Sequence, residues 1–159
     1  MGTVDLTTKL AANFSLGELV SSAKADSLGI DNTPPAAIVE QLRATAAMLQ
    51  RIRDRLDRAV IVTSGYRCQA LNRAVGGVTS SDHVQGQAAD ILVPGYGTPY
   101  DVAKALAPLV SMLGIGQLIL EGVGGKRWVH VSTRVPDRPA NRVITITDAG
   151  TQLGIQPVR

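Results

Sequence analysis

One hydrophobic pattern in this sequence is much longer than the others. Mostly apolar positions recur alternately four and three residues apart, at Ile38, Leu42, Thr45, Leu49, Ile52 and Leu56. This spacing places them on one stripe of an α-helix, so the sequence predicts a long helix over residues 36–57. The charged residues of the segment fall mostly off that stripe, which is typical of a scaffold helix with one solvated face.

Shorter helices are predicted on either side of it. Ser15 and Glu18 have the spacing of a capping box before an apolar pattern, which predicts a helix over about residues 16–26. Two more helices are predicted over residues 68–75 and 100–113, the first ended by a glycine pair.

The second half of the chain carries short runs rich in β-branched residues. They predict strands at residues 59–63, 88–93, 117–120, 128–132 and 142–147. The glycine-rich segment GVGGKR is predicted as a loop between the third and fourth strands, and the last run as an edge strand. Because helices come first and strands cluster later, the sequence predicts an α+β fold with a mainly antiparallel sheet and flanking helices.

The domain organisation is simple. Residues 1–13 show no clear period and are predicted as a loose N-terminal arm, followed by a single domain over residues 14–159. No apolar run reaches the roughly 18 residues that span a bilayer, so we expect no transmembrane segment. The N-terminal residues also lack the apolar block of a signal peptide, and we expect synthesis in the cytoplasm.

Composition narrows the possible partners. The net charge of +3 and the pI of about 9.4 favour anionic partners such as nucleic acid, cell-wall polymers or membrane surfaces, although such a charge more often only keeps a protein soluble. Aromatic residues make up only 3% and the arginines are scattered, so we expect no nucleic-acid partner. The single cysteine, Cys68, excludes an intramolecular disulfide and a multi-cysteine metal site. We expect a monomer.

Three residues form a candidate metal site. Side chains alternate along a strand, so Asp90 shares a face with Ala88, and His130 shares a face with Trp128. If the two strands are neighbours, Asp90 and His130 converge, and His83 can reach them from the preceding loop. Two imidazoles and one carboxylate leave a fourth position for water, which is how a catalytic zinc is held.

An alternative without metal remains open from these residues alone. A histidine in an apolar strand is often a hydrogen-bonded core residue, and an aspartate near a strand end is often a cap. On this interpretation His83 and His130 belong to a metal-free domain.

A longer motif links these residues to a known family. The motif consists of Ser64-Gly65-Tyr66-Arg67, Leu71-Asn72, Val75-Gly76-Gly77, Ser81-Asp82-His83, Gly86, Ala88, Asp90-Ile91 and Trp128-Val129-His130-Val131-Ser132. In this order the residues resemble the M15 peptidases, which are zinc D-Ala-D-Ala carboxypeptidases and related phage endolysins. The resemblance spans about residues 14–147 and implies the fold that these enzymes share with the hedgehog signalling domain.

The resemblance also implies roles for individual residues. His83, Asp90 and His130 would bind Zn²⁺. Arg67 would correspond to the arginine that polarises the scissile carbonyl or binds substrate, and a guanidinium offers fork-shaped donors for that purpose. Ser81 would help to hold the substrate, although a loop hydroxyl often bonds its own backbone.

The general base departs from the commonest family pattern. Many members carry an acidic residue three positions before the last histidine, where this chain has Arg127. Other members carry a glutamate at the end of the preceding strand, which Glu121 matches. A carboxylate there can take a proton from the attacking water. Asp82 is the alternative base, though it adjoins a ligand and could simply orient it.

These expectations combine into a functional hypothesis. The chain resembles a zinc metallopeptidase that hydrolyses peptidoglycan stem peptides, as a carboxypeptidase or an endopeptidase. A phage endolysin or similar lytic enzyme is the expected role, with access to the wall through a holin or from a phage particle. The alternative is a non-catalytic zinc module that binds wall fragments or a protein partner.

Overall fold

The long predicted helix is confirmed as α3, Ala36–Leu56. Its apolar stripe is buried at Leu42, Leu49 and Ile52, each of which has no exposed surface. Burying a leucine or isoleucine side chain stabilises a fold by roughly 1.5–3 kcal/mol, so this stripe is a major part of the core. The computed structural model that shows this describes residues 3–158 of the chain.

The other helices are shorter than predicted. They are α1 (Leu16–Val20), α2 (Ala23–Leu28), α4 (Gln69–Ala74), α5 (Pro99–Leu106) and α6 (Val110–Leu113), with 3-10 turns at Ala107–Leu109 and Pro139–Arg142. The capping box of Ser15 and Glu18 is confirmed. The single helix predicted over 16–26 is wrong, because Ser22 leaves the helical conformation and caps α2 through its hydroxyl.

The predicted helix over 100–113 is likewise interrupted. Pro108 lies in the 3-10 turn between α5 and α6. Proline lacks the backbone N–H that an α-helix needs, so the helical hydrogen bonds change at this point. None of the helices in the described part of the chain has the length and apolarity needed to cross a bilayer.

Within residues 3–158, eight strands form two sheets. They are β1 (Lys9–Ala11), β2 (Phe14–Ser15), β3 (Ile61–Ser64), β4 (Ala88–Leu92), β5 (Gln117–Val123), β6 (Lys126–Ser132), β7 (Val143–Thr147) and β8 (Gly150–Leu153). β1 and β2 pair alone, and the large sheet has the order β3-β4-β6-β5-β7-β8. Only the β5–β7 pairing within the large sheet is parallel. The predicted α+β fold with a mainly antiparallel sheet is therefore confirmed.

Two strand predictions need correction. The segment GVGGKR is not a long loop, because β5 and β6 continue to a tight turn at Gly124 and Gly125. Both glycines have positive φ, as tight hairpin turns require. β7 is not an edge strand either, because the polar strand β8 pairs on its outer side.

The predicted loose arm over residues 1–13 also differs from the structure. Residues 1–2 lie outside the described residues, but β1 pairs with β2. Asn13 and Gln50 exchange two hydrogen bonds of 2.9 Å, which tie the turn between these strands to α3. Strands of two or three residues are too short to show alternation, so the sequence could not predict them.

The large sheet has one face in the core and one face that carries polar chemistry. The core face contributes Ala89, Ile91, Leu118, Leu120, Val129 and Val131, which cluster with α3 and α5. Because successive side chains alternate, the intervening positions Asp90, Glu121 and His130 lie on the other face. The candidate site is thus built on a sheet whose back is fixed by the core.

The close approach of the β3–α4 connection to α1 generates a stability prediction. A Cβ at Gly65 would overlap the backbone carbonyl oxygen of Leu19, which also accepts a hydrogen bond from the N–H of Tyr66. We expect Gly65→Ala to lower the free energy of unfolding by about 1–3 kcal/mol, as overpacking generally does. Urea unfolding measures this change.

Gly95→Ala is the matched control. The nearest atoms to its new Cβ belong to the flexible side chain of Arg58, with Cδ at 3.2 Å. An equal decrease in the free energy of unfolding in the two variants would contradict a steric origin of the effect at Gly65.

Candidate metal centre

Three side chains from distant parts of the chain converge on one face of the sheet. β4 and β6 are antiparallel neighbours, and Asp90 lies directly opposite His130. Directly opposed residues place their side chains on the same face, within contact distance. His83 joins them from the loop that leads into β4.

The distances within this group are short. Asp90 Oδ1 lies 3.0 Å from His130 Nδ1 and 3.3 Å from His83 Nε2. The three candidate ligand atoms all lie within 4.8 Å of one another, and the two imidazole rings meet edge to face with centroids 5.1 Å apart. In the described residues, this is the one group of three or more such side chains with the spacing of a metal site.

The donor set and its spacing fit a tetrahedral metal ion. Ligand atoms held about 2.0–2.2 Å from such an ion lie roughly 3.3–3.6 Å apart. The contacts of Asp90 with His83 and His130 are close to that range. Two imidazole nitrogens and one carboxylate oxygen also form a donor set that zinc accepts while leaving a position open.

The orientation of His83 is fixed by the backbone behind it. Its Nδ1 lies 2.8 Å from the carbonyl oxygen of Gly65, so Nδ1 carries the proton and donates to that oxygen. The lone pair of Nε2 then points toward Asp90 and is free for a metal. The loop turns at Gly86, whose φ of +70° favours glycine, and the hydroxyl of Thr45 donates to the Gly86 carbonyl at 2.6 Å.

Burial and the surrounding carboxylates set the charges of the three residues. Burial would raise the pKa of Asp90, but its close contacts with the imidazoles of His130 and His83 outweigh burial and hold this pKa well below its usual range. Burial lowers the pKa of His83 more than Asp90 raises it. Burial would lower the pKa of His130 too. Its hydrogen bond to Asp90 and the negative charges of Asp90, Glu121 and Asp82 outweigh burial and raise this pKa.

The two histidines differ because His130 faces more negative charge than His83 does. A metal-bound imidazole is neutral, so a metal ion must compete with a proton at His130. The low pKa of Asp90 keeps a negative charge beside His130, which favours a bound cation at this point, whether a proton or a metal ion.

Glu121 lies at the open side of the group. It is in β5, the neighbour of β6 on the side away from Asp90, and its Oε1 is 3.9 Å from His130 Nδ1. The Glu121 side chain is 21% exposed, whereas that of His83 is 3% exposed. Burial and the charge of Asp90 raise the pKa of Glu121, while His130 and Arg67 act in the opposite direction.

Arg67 contacts the loop of His83 through its backbone, and its charge interacts with Asp90 and Glu121. Its backbone N–H donates to the carbonyl of His83 at 3.1 Å, and its Nη1 donates to Asn72 Oδ1 at 3.3 Å. Burial lowers the pKa of Arg67 while Asp90 and Glu121 raise it, and a guanidinium stays charged in any case. Its buried Nε has no hydrogen-bond partner among the described residues.

Ser81 and Asp82 are both engaged in local contacts. Ser81 Oγ accepts the backbone N–H of His83 at 3.3 Å, which still leaves its own proton free to donate. The Asp82 carboxylate accepts from Ser132 Oγ at 2.8 Å and from Arg134 Nε at 2.6 Å. Because both of its oxygens are occupied, Asp82 is poorly placed to act as a base, and Glu121 is the better candidate.

Several supporting groups escaped the sequence analysis. The carbonyl of Gly65 could not be identified, because a backbone acceptor has no sequence pattern. Asn72 was only one residue of the motif, yet its side chain is fully buried. It accepts a hydrogen bond from Arg67 at 3.3 Å and donates one to the carbonyl of Val78 at 2.8 Å. The contact between Arg134 and Asp82 could not be predicted either, because the two residues are far apart in the sequence.

A cavity of about 690 Å³ lies elsewhere, between residues 4–8 and the start of α3. It is lined by residues such as Val4, Leu16 and Val39 and by none of the three converging residues. Its size alone does not supply chemistry, so the group of His83, Asp90 and His130 remains the candidate site.

Comparison with known proteins agrees with this placement. The family model described as Peptidase M15 matches residues 12–132, which is more than half of the chain, and the chain therefore belongs to this family of metallopeptidases. The matched region ends at the last residue of β6 and includes Arg67, His83, Asp90, Glu121 and His130. A search of the curated proteins finds no match.

The convergence of three ligand atoms predicts metal-dependent stability. We expect purified protein to bind one Zn²⁺ and its melting temperature to rise with added zinc, since a ligand at 100 times its Kd stabilises a fold by about 2.7 kcal/mol. His130→Ala and Asp90→Asn should lose both effects. Elemental analysis and thermal unfolding measure them.

Glu40→Gln serves as the control because Glu40 is on α3 and its side chain is 74% exposed. Its zinc content and its rise in melting temperature with added zinc should equal those of the wild type. Stoichiometric zinc in His130→Ala would argue against the proposed ligand set.

Proposed function

We propose that this member of the Peptidase M15 family is a zinc metallopeptidase that hydrolyses peptidoglycan stem peptides. The observation that carries the proposal is the position of Glu121, whose carboxylate lies 3.9 Å from His130 at the exposed side of the group. A metal site with a carboxylate of raised pKa beside its open side has the composition of a hydrolytic centre.

His83, Asp90 and His130 would hold the zinc ion through Nε2, Oδ1 and Nδ1. When bound, zinc supplies a Lewis acid that polarises a carbonyl and lowers the pKa of a bound water. The protein holds these ligands on a rigid sheet and a tied loop, so little reorganisation is needed on binding.

Glu121 moves the proton. Its carboxylate takes a proton from the attacking water while the oxygen bonds to the carbonyl carbon, and it then gives that proton to the leaving amine as the C–N bond breaks. The products are a carboxylic acid and an amine.

Arg67 and Ser81 would bind the substrate. The guanidinium of Arg67, whose charge acts on Asp90 and Glu121, can donate to a substrate carboxylate or to the oxygen that gains negative charge during attack. The Ser81 proton is free to donate to a substrate carbonyl, since Ser81 Oγ itself accepts from the backbone of His83. A stem peptide that ends in D-alanine offers both kinds of acceptor.

The proposed setting is the bacterial cell wall. We propose that the protein is made in the cytoplasm and reaches the wall after release, through a holin or from a phage particle, as an endolysin or similar lytic enzyme. Its net charge of +3 favours contact with anionic envelope polymers.

Glu121→Gln is expected to separate chemistry from metal binding. The amide cannot accept the proton, so turnover should fall by at least about 100-fold, the usual contribution of a general base. Zinc content should stay at the wild-type level, because Glu121 is not among the three ligands. Release of D-alanine and of new amino termini from purified peptidoglycan measures the turnover.

Glu40→Gln is again the control and should keep full activity. Wild-type turnover in Glu121→Gln would reject the base assignment. Zinc-loaded wild type that cleaves no stem peptide would instead support the non-catalytic binding module.

Arg67→Lys tests the substrate-binding role. Lysine keeps the charge but loses the planar fork and the Nε donor, so we expect kcat/KM to fall by about 10-fold or more, the equivalent of 1.4 kcal/mol. Michaelis–Menten kinetics on a defined stem peptide measure it. If Arg67 only supports the start of α4, the melting temperature will fall while kcat/KM stays unchanged.

Mass spectrometry of digested muropeptides identifies the bond that is cut. Loss of a terminal D-alanine indicates a carboxypeptidase, and cleavage of a cross-link or within the stem indicates an endopeptidase.

A further inference from the structure

The two histidines of the candidate centre are held by elements of different rigidity. His130 lies within β6, where hydrogen bonds to both neighbouring strands fix its backbone. His83 lies between α4 and β4, in a segment without helix or strand. A metal site needs its ligands at a fixed separation, so this segment must be tied to β6 by other contacts.

Asp82 makes such a contact immediately beside His83. Its carboxylate is buried, with 7% of the residue exposed, and crosses to the end of β6. Oδ2 accepts a hydrogen bond from the hydroxyl of Ser132, which is fully buried and lies two residues after His130. Oδ1 accepts from Nε of Arg134, and the backbone N–H of Arg134 donates to Ser132 Oγ at 3.1 Å.

The three residues form a closed polar cluster. An ionised carboxylate in a buried position is costly unless it is paired and hydrogen-bonded, and here both oxygens have a donor. The Arg134 side chain is 43% exposed and covers the cluster from the solvent side. The cluster therefore has a defined geometry, since hydroxyl and guanidinium donors hold the carboxylate from two directions.

We infer that Asp82 is a positioning residue that fixes His83 relative to His130 and so preorganises the metal centre. The inference rests on the proposed metal-dependent function, but it assigns a role to residues outside the three ligands. Asp82 adjoins one histidine in the chain, and Ser132 shares a strand face with the other. Their hydrogen bond links the segment that carries His83 to the strand that carries His130.

Other contacts hold the remainder of the loop without Asp82. The N–H of Thr133 donates to the carbonyl of Gln87 at 2.9 Å, and Thr45 Oγ1 donates to the carbonyl of Gly86. These bonds secure the entry into β4, so loss of the Asp82 contact should displace His83 while leaving the fold intact. This distinguishes positioning from general support of the structure.

The test measures metal affinity and the spectrum of bound cobalt in Asp82→Asn. Loss of a residue that orients a ligand typically weakens metal binding about 10- to 100-fold. We expect a zinc Kd raised by that factor and a shifted visible absorption of the Co²⁺ form, because the ligand geometry changes. Neither readout depends on peptidase activity.

Asp101→Asn is the matched control. Asp101 is another carboxylate with local partners, since it accepts from the N–H of Thr98 at 2.8 Å at the start of α5. It is not part of the candidate centre. Its loss should lower the melting temperature without changing the zinc Kd or the cobalt spectrum.

Variants of the two partners keep the inference testable if Asp82→Asn does not fold. Ser132→Ala and Arg134→Gln should each weaken zinc binding, and Arg134→Lys should restore most of the affinity by keeping a charged donor. Because the cluster acts as a unit, the double variant of Asp82→Asn with Arg134→Gln should lose less zinc-binding free energy than the two single variants lose together.

The outcomes separate this inference from the proposed function. Wild-type zinc affinity and an unchanged cobalt spectrum in the folded variants of Asp82, Ser132 and Arg134 would overturn the positioning role alone. A wild-type protein that binds no zinc would overturn the metal centre and, with it, the role of Asp82.

Discussion

The antiparallel pairing of β4 with β6 is the constraint on which the rest of the site depends. It sets Asp90 opposite His130, with 3.0 Å between carboxylate and imidazole, and it is fixed from behind by apolar side chains that alternate with them. A slip of one residue would turn Asp90 into the core and bring Ile91 to the polar face. The hydrophobic core therefore holds the register, and this register sets the positions of the side chains on the polar face.

The carboxylates around His130 divide into different tasks because their surroundings differ. Asp90 is bridged by two imidazoles and stays ionised, whereas Glu121 is partly exposed and has a raised pKa. Asp82 is enclosed by a hydroxyl and a guanidinium and has no free oxygen. The carboxylate group at three positions is thus proposed to supply a metal ligand, a proton carrier and a link between elements.

Much of the site could be predicted because its residues lie in patterns that physics makes recognisable. Alternation in β4 and β6 placed Asp90 and His130 on one face, and the motif added His83, Arg67 and Glu121. The break at Ser22, the strand β8 and the contact of Arg134 with Asp82 were not predicted. The contact of Arg134 with Asp82 joins residues 52 positions apart, which no local pattern records. Ser22 and β8 have local partners, but a single serine and a four-residue strand give no periodic signal.

The outer strand β8 has a consequence for the behaviour of the protein at high concentration. All four of its residues are exposed, two of them, Thr151 and Gln152, are polar, and it begins with a glycine at φ +122°. A four-residue edge of this composition gives an approaching copy of the chain little apolar surface to bury on pairing. Intermolecular extension of the sheet at this edge is thus discouraged.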